Sequence, residues 1–183
     1  MAPTAPDGGH AVDMQNAAAP PYGAHLQGCN FLLGAVQKAG YQGRREQVIP
    51  ELASAECLAP QLDIEGWSTF GLGSLLIDFS IRHPSASHYS IGQCATVVAG
   101  REKTAHYGSR QGLSVRCAAM ETYGRHGEDL VALLEQLADL ARKREIAFGL
   151  PPTRWLRRWR AAVVHCCTHG GQGNTDVLRT GEQ

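Results

Sequence analysis

Two short β-rich runs, LDIEG at residues 62–66 and SLLIDFSIR at 74–82, flank a glycine-containing segment at 70–73, and the second run stops at Pro84. Runs of this length, rich in Ile, Leu and Phe and bounded by Gly and Pro, read as strands. The glycines supply the turn chemistry that folds one strand back on the other. Each strand offers one carboxylate, Asp63 and Asp78. Along the second strand, Leu76, Asp78 and Ser80 point one way while Leu75, Ile77, Phe79 and Ile81 point the other, so Asp78 belongs to the less apolar face.

After Pro84 the segment from about 90 to 107 reads as a helix ended by Gly108, and Lys103 and Tyr107 share one face of it at i, i+4. An acid pair on neighbouring strands suits a hard divalent cation such as magnesium or manganese, which takes its other ligands from water and substrate phosphate. An ammonium from Lys103 would neutralise charge developing on a phosphoryl group, and the Tyr107 phenol would orient water or a phosphate oxygen. Strand, strand and helix therefore point to metal-dependent cutting of nucleic acid.

Asp63, Asp78 and the K-x-x-x-Y unit at 103–107 resemble the restriction-like endonuclease found at the C-terminal end of reverse transcriptase polyproteins in site-specific retrotransposons lacking long terminal repeats. That domain belongs to the wider PD-(D/E)xK nuclease superfamily. The resemblance covers roughly residues 23–162 and departs from the superfamily pattern twice. Leu62 stands where a proline precedes the first acid, and Ser80 stands where the D-x-K lysine belongs. The retrotransposon branch resembles this arrangement, with the lysine supplied from the following helix, here Lys103. The resemblance implies an α/β restriction-endonuclease core in the order helix, three-strand meander, helix, strand, with two covering C-terminal helices. It further implies a magnesium- or manganese-dependent endonuclease that nicks double-stranded DNA in the nucleus, as a domain detached from its polymerase or a degenerate copy. An acid from the strand REQVIPEL, Glu46 or Glu51, would join the metal shell by the same likeness, and Glu121 is a further candidate at the end of the last strand. Glu65, two residues after Asp63, shares its strand face and is a candidate metal ligand.

Lys and Arg number 17 against 17 Asp and Glu, so global charge announces no nucleic-acid partner and the local distribution must carry that argument. Basic residues cluster at 101–125 and again at Arg154, Arg157, Arg158 and Arg160, which stand without acids between them. A helix expected at 153–164 would dock by Trp155, Leu156 and Trp159 and present Arg154, Arg157 and Arg158 to phosphate. The 183 residues allow one domain, expected at 23–165. Residues 1–22, rich in Ala, Pro and Gly, are too poor in large apolar side chains to offset their ordering entropy, and the glycine-rich tail from 166 reads as fraying. No signal peptide and no run long enough for a membrane span is visible, and six cysteines without a regular framework read as reduced intracellular thiols.

The remaining elements follow from pattern. A first helix is expected at 28–40, a fourth strand at 113–123 with Cys117 in the core, and a long helix at 128–145 with a leucine stripe. His25 and Cys29 have the spacing of half a zinc site, with a helix entrance as the plainer reading. His165, Cys166, Cys167 and His169 are metal-ligand types in a segment that reads as frayed. Two other classes fit the same residues: a non-catalytic DNA-binding remnant of the fold, and a zinc-binding interaction module built on His25, Cys29 and the C-terminal cluster. No repeat, glycine-rich phosphate loop or nucleophile elbow is present, which argues against a nucleotide hydrolase or an esterase. Oligomeric state is not legible.

Overall fold

The computed structural model describes residues 22–53, 59–68, 71, 73–85, 94–107 and 113–168. Residues 1–21 of the expected unstructured N-terminus and most of the expected tail lie outside these residues, as do Gly108, His169 and the side chains of Cys166 and Cys167, while Tyr22 opens the first helix. The chain is α/β: α1 (Tyr22–Lys38), β1 (Gln42–Val48), a short 3-10 turn (Pro50–Leu52), β2 (Gln61–Trp67), β3 (Ser74–Arg82), α2 (Ala95–Tyr107), β4 (Val115–Glu121), α3 (Glu128–Ala147) and α4 (Trp155–Thr168). This is the element order expected from the sequence. The strands lie in the order β1-β2-β3-β4, with β1, β2 and β3 antiparallel and β4 parallel to β3. A parallel pair cannot be closed by a tight turn, and α2 is the crossover that makes it.

Several boundaries differ from expectation. Helix α1 starts at Tyr22 rather than at 28, so His25 and Cys29 sit inside the helix and not at its entrance. It ends where expected, because Gly40 takes φ 101°, a left-handed turn that costs a residue without Cβ little. Helix α2 is described from Ala95, and β4 is shorter than expected because residues 125–127 turn back along it. There Gly127 N–H donates to Ala119 O and Glu121 N–H to Arg125 O, both at 2.8 Å, which covers an otherwise open edge. Helix α4 runs to Thr168, past the point where fraying was expected, because Ala162 and Val163 on its buried side carry it along the core.

Strand β3 is buried on both faces, and its alternation separates two apolar clusters. Leu75, Ile77, Phe79 and Ile81 join α1, α3 and α4 in the larger one. Leu76 joins Ile49, Leu52, Leu62 and Tyr107 in the smaller. The α3 stripe of Leu130, Leu133, Leu134 and Leu137 is fully buried in the larger cluster, at roughly 1.5–3 kcal/mol per leucine. Cys117 is a small buried core residue, as expected. Gly28 allows α1 to lie directly on the sheet, since a Cβ there would overlap the Phe79 ring. That close approach sets the positions of His25 and Cys29 on α1.

Candidate functional site

Alternation along LDIEG would put Leu62 and Ile64 on one face, but they pack in opposite clusters, Leu62 with Leu76 and Tyr107, Ile64 with Ile77. The strand therefore rolls over at Asp63. Glu46 stands opposite, bracketed by the pairs Arg45↔Ile64 and Gln47↔Leu62, and it takes φ 54°, a left-handed conformation that costs a non-glycine residue about 1 kcal/mol. Pairing between β2 and β3 ends at Ile64↔Ile77 although β3 continues to Arg82. Buried backbone groups need partners, and side chains supply them to Phe79. Its N–H donates to Asp63 Oδ2 at 2.7 Å, and its carbonyl lies 3.0 Å from His25 Nε2. The Asp63 carboxylate thus grips the peptide that joins Asp78 to Phe79.

Asp78 points to the α2 side of β3 and is 5% exposed. Lys103 Nζ donates to its Oδ2 at 2.7 Å, and the Tyr107 hydroxyl donates to the same oxygen, so neither bond engages Oδ1. The expectation that Asp78 lies on the less apolar face is modified: Leu76 and Tyr107 bury that face. Burial and the Asp78 carboxylate push the Tyr107 phenol well above the ordinary tyrosine range, so it remains a donor.

Helix α2 is set in place from its other end. Glu121, 4% exposed at the end of β4, accepts a hydrogen bond from Ala95 N–H at 3.1 Å, and Cys94 Sγ lies 3.4 Å from the same oxygen. A carboxylate at a helix N-terminus satisfies an orphan donor and meets the positive end of the dipole. Glu121 therefore positions α2 rather than joining the acids near Asp63. The Cys94 thiol is held below its usual pKa, chiefly by the hydrogen bond with Thr96.

Asp63 has other neighbours. Its Oδ1 is 3.5 Å from His25 Nε2, and Cys29 Sγ is 3.7 Å from His25 Nδ1. One ligand atom from each of His25, Cys29 and Asp63 lies within 4.8 Å of the other two, so this group could hold a metal ion. Among the described residues no such group includes Asp78, Glu46, Glu65 or Glu121. The hydrogen bond to Asp63, with help from Cys29, pushes the His25 imidazole up to about 11 against its burial, and burial pushes the Cys29 thiol up. The three residues, with Leu26, Arg45, Glu46 and Gln61, line a cavity of about 320 Å³.

The structure therefore brings Lys103 and Tyr107 to Asp78, and it brings His25 and Cys29 to Asp63. Glu46 lines the Asp63 cavity, while Glu65 is tied to Arg44 Nε at 2.9 Å. Glu51 lies in the 3-10 turn and is exposed. Arg154, just before α4, and Arg157 on it are exposed, and Arg158 stacks over the Trp155 ring at 5.8 Å. Arg160 is not unopposed, since it pairs with Glu135 at 3.0 Å. The union of His25, Cys29 and Asp63 escaped sequence reasoning, because the i, i+4 pair on α1 shows its face but not which strand lies beneath it. Among the described residues no helix is long and apolar enough to cross a membrane. No family model, curated protein or solved structure matches the chain.

Proposed function

We propose that this chain is a metal-dependent DNA endonuclease of the restriction-like kind, nicking one strand of a duplex, with the α/β core as that family's helix, meander, helix and strand. The observation that carries the reading is the convergence of Lys103 and Tyr107 on one oxygen of buried Asp78. Asp63, on the neighbouring strand, grips the peptide that follows Asp78. The two carboxylates are hard oxygen ligands of the kind that magnesium or manganese takes. Asp63 and Glu46 line one cavity and would hold the ion there, and Asp78 would reach it from the α2 side through Oδ1, the oxygen that neither Lys103 nor Tyr107 engages. When bound, the ion would polarise the phosphodiester and lower the pKa of an attacking water.

The chain's own residues do the rest. Lys103 brings a positive charge to the Asp78 side of the sheet, where it would offset the charge gathering on the phosphoryl oxygens. Tyr107, kept protonated, donates a hydrogen bond and holds the Asp78 carboxylate in one orientation. Glu121 fixes α2 and with it the reach of both side chains. Exposed Arg154 and Arg157 would meet the DNA backbone with little regard for sequence. The test is conversion of supercoiled plasmid to open circle with magnesium. Lys103→Ala should slow nicking roughly 100-fold per folded molecule. If it nicks as fast as wild type, the active-site assignment is wrong.

A further inference from the structure

The cavity beside α1 carries ligands of a kind that magnesium does not select. His25 Nε2 lies against the Phe79 carbonyl at 3.0 Å. Such a backbone contact fixes the ring of a metal-ligating histidine and leaves Nδ1 to face the ion. Nδ1 is 3.7 Å from Cys29 Sγ, Asp63 Oδ1 is 3.5 Å from the other ring nitrogen, Nε2, and one ligand atom from each of the three residues lies within 4.8 Å of the other two. Zinc bonds of about 2.0–2.3 Å in tetrahedral array set a nitrogen and a sulfur ligand about 3.5 Å apart, so the His25 to Cys29 edge is nearly in place. Asp63 is oriented by its own hydrogen bond from Phe79 N–H, again the arrangement that steers a ligating carboxylate. The space opposite the triad is the cavity, where a water or a substrate oxygen would sit.

We propose that His25, Cys29 and Asp63 form a binding site for a thiophilic divalent ion of the zinc class, with its fourth position open to the cavity. Thiolate and imidazole select such an ion over magnesium. Binding displaces the protons of the Cys29 thiol and of His25 Nδ1 into solvent. The site stands on this geometry alone. Its consequence for nicking rests on the endonuclease reading: an ion here engages Asp63 and withdraws that carboxylate from the magnesium, so zinc and magnesium compete through one residue.

Cobalt(II), a spectroscopic stand-in for zinc, reads the site without reference to DNA. Titrated alone into the reduced full chain, it should give one equivalent of a thiolate-to-cobalt charge-transfer band with the strong visible bands of a tetrahedral ion, bleached by equimolar zinc. Cys29→Ser should lose the charge-transfer band, and Asp63→Asn should shift the visible bands and weaken affinity at least 10-fold. Circular dichroism confirms that each variant is folded. Asp78→Asn should keep the cobalt spectrum even where nicking is lost, which separates failure of this site from failure of the endonuclease reading. The proposal is overturned if wild type gives no charge-transfer band. It is equally overturned if the band survives in Cys29→Ser but vanishes in a Cys166→Ser, Cys167→Ser double variant, which would assign the metal to the C-terminal cysteines.

Discussion

On the α2 side of the sheet, Asp78 is buried and held through a single oxygen by an ammonium and a phenol. One strand over, Asp63 is bound by a backbone amide and stands near an imidazole and a thiol at the edge of a cavity. Two aspartates that look equivalent in sequence therefore answer to different chemistry. Asp78 has one oxygen committed to the protein's own charges, whereas Asp63 lines a cavity in which a further ligand fits. An acid's role is decided by what the neighbouring helix brings over it, Lys103 in one case and His25 with Cys29 in the other.

The sharpest test of this contrast is stability. Lys103→Ala leaves the Asp78 carboxylate buried with only Tyr107 to answer it, and should cost about 3 kcal/mol in urea unfolding. Asp78→Asn should cost less, because the partly exposed Lys103 side chain can turn its charge to water. Combining the two should recover part of the Lys103→Ala loss, a coupling that a double-mutant cycle measures. Asp63→Ala should cost about 1–3 kcal/mol, the range for leaving the Phe79 N–H without its partner. If Asp63→Ala proves as damaging as Lys103→Ala, the two acids are equally structural and the contrast fails.

Glu121→Ala examines how α2 is delivered to Asp78. Losing the carboxylate that caps Ala95 N–H should cost about 1 kcal/mol. It should also slow nicking more than Glu121→Gln, which keeps an acceptor at the helix start. The smallest effect expected involves neither aspartate. Burial, with Arg160 adding to it, holds His126 below its usual pKa. The unfolded chain then takes up a proton on His126 at higher pH than the folded chain does. Its contribution to stability is present above the unfolded value of about 6.5 and is lost as pH falls through the lowered folded value. The drop in unfolding free energy between pH 7.5 and 5.5, roughly that span of His titration, should be smaller in His126→Gln than in wild type. An unchanged drop would mean that another group governs that range.

Much of the framework is legible in the sequence because it is local. The leucine stripe of α3, the Gly40 stop of α1 and the glycine turn before β3 each follow from residues within a few positions of one another. The pairing of Lys103 with Tyr107 is legible for the same reason, since i, i+4 residues share a helix face. Three things were not legible. Alternation gives no sign that β2 rolls over between Leu62 and Ile64, because that roll answers to the opposing strand at Glu46. Nor does the sequence reveal that His25 and Cys29 cross above Asp63, which depends on Gly28 letting α1 settle onto Phe79. The extent of α4 was missed because its buried Ala162 and Val163 are small and precede a polar, glycine-rich tail.

The peptide between Asp78 and Phe79 is clasped from one side by Asp63 while the residue before it is clasped from the other by Lys103 and Tyr107. Its amide proton is guarded by a carboxylate where a neighbouring strand would ordinarily guard it. A side chain lets go more readily than a ladder, so this single proton should exchange with deuterium faster than those of Leu75 and Ile77, which face the paired part of β2. Any cation that draws Asp63 away from its donor would change that exchange rate and move the nitrogen resonance of Phe79, giving the molecule a built-in reporter of what occupies its cavity.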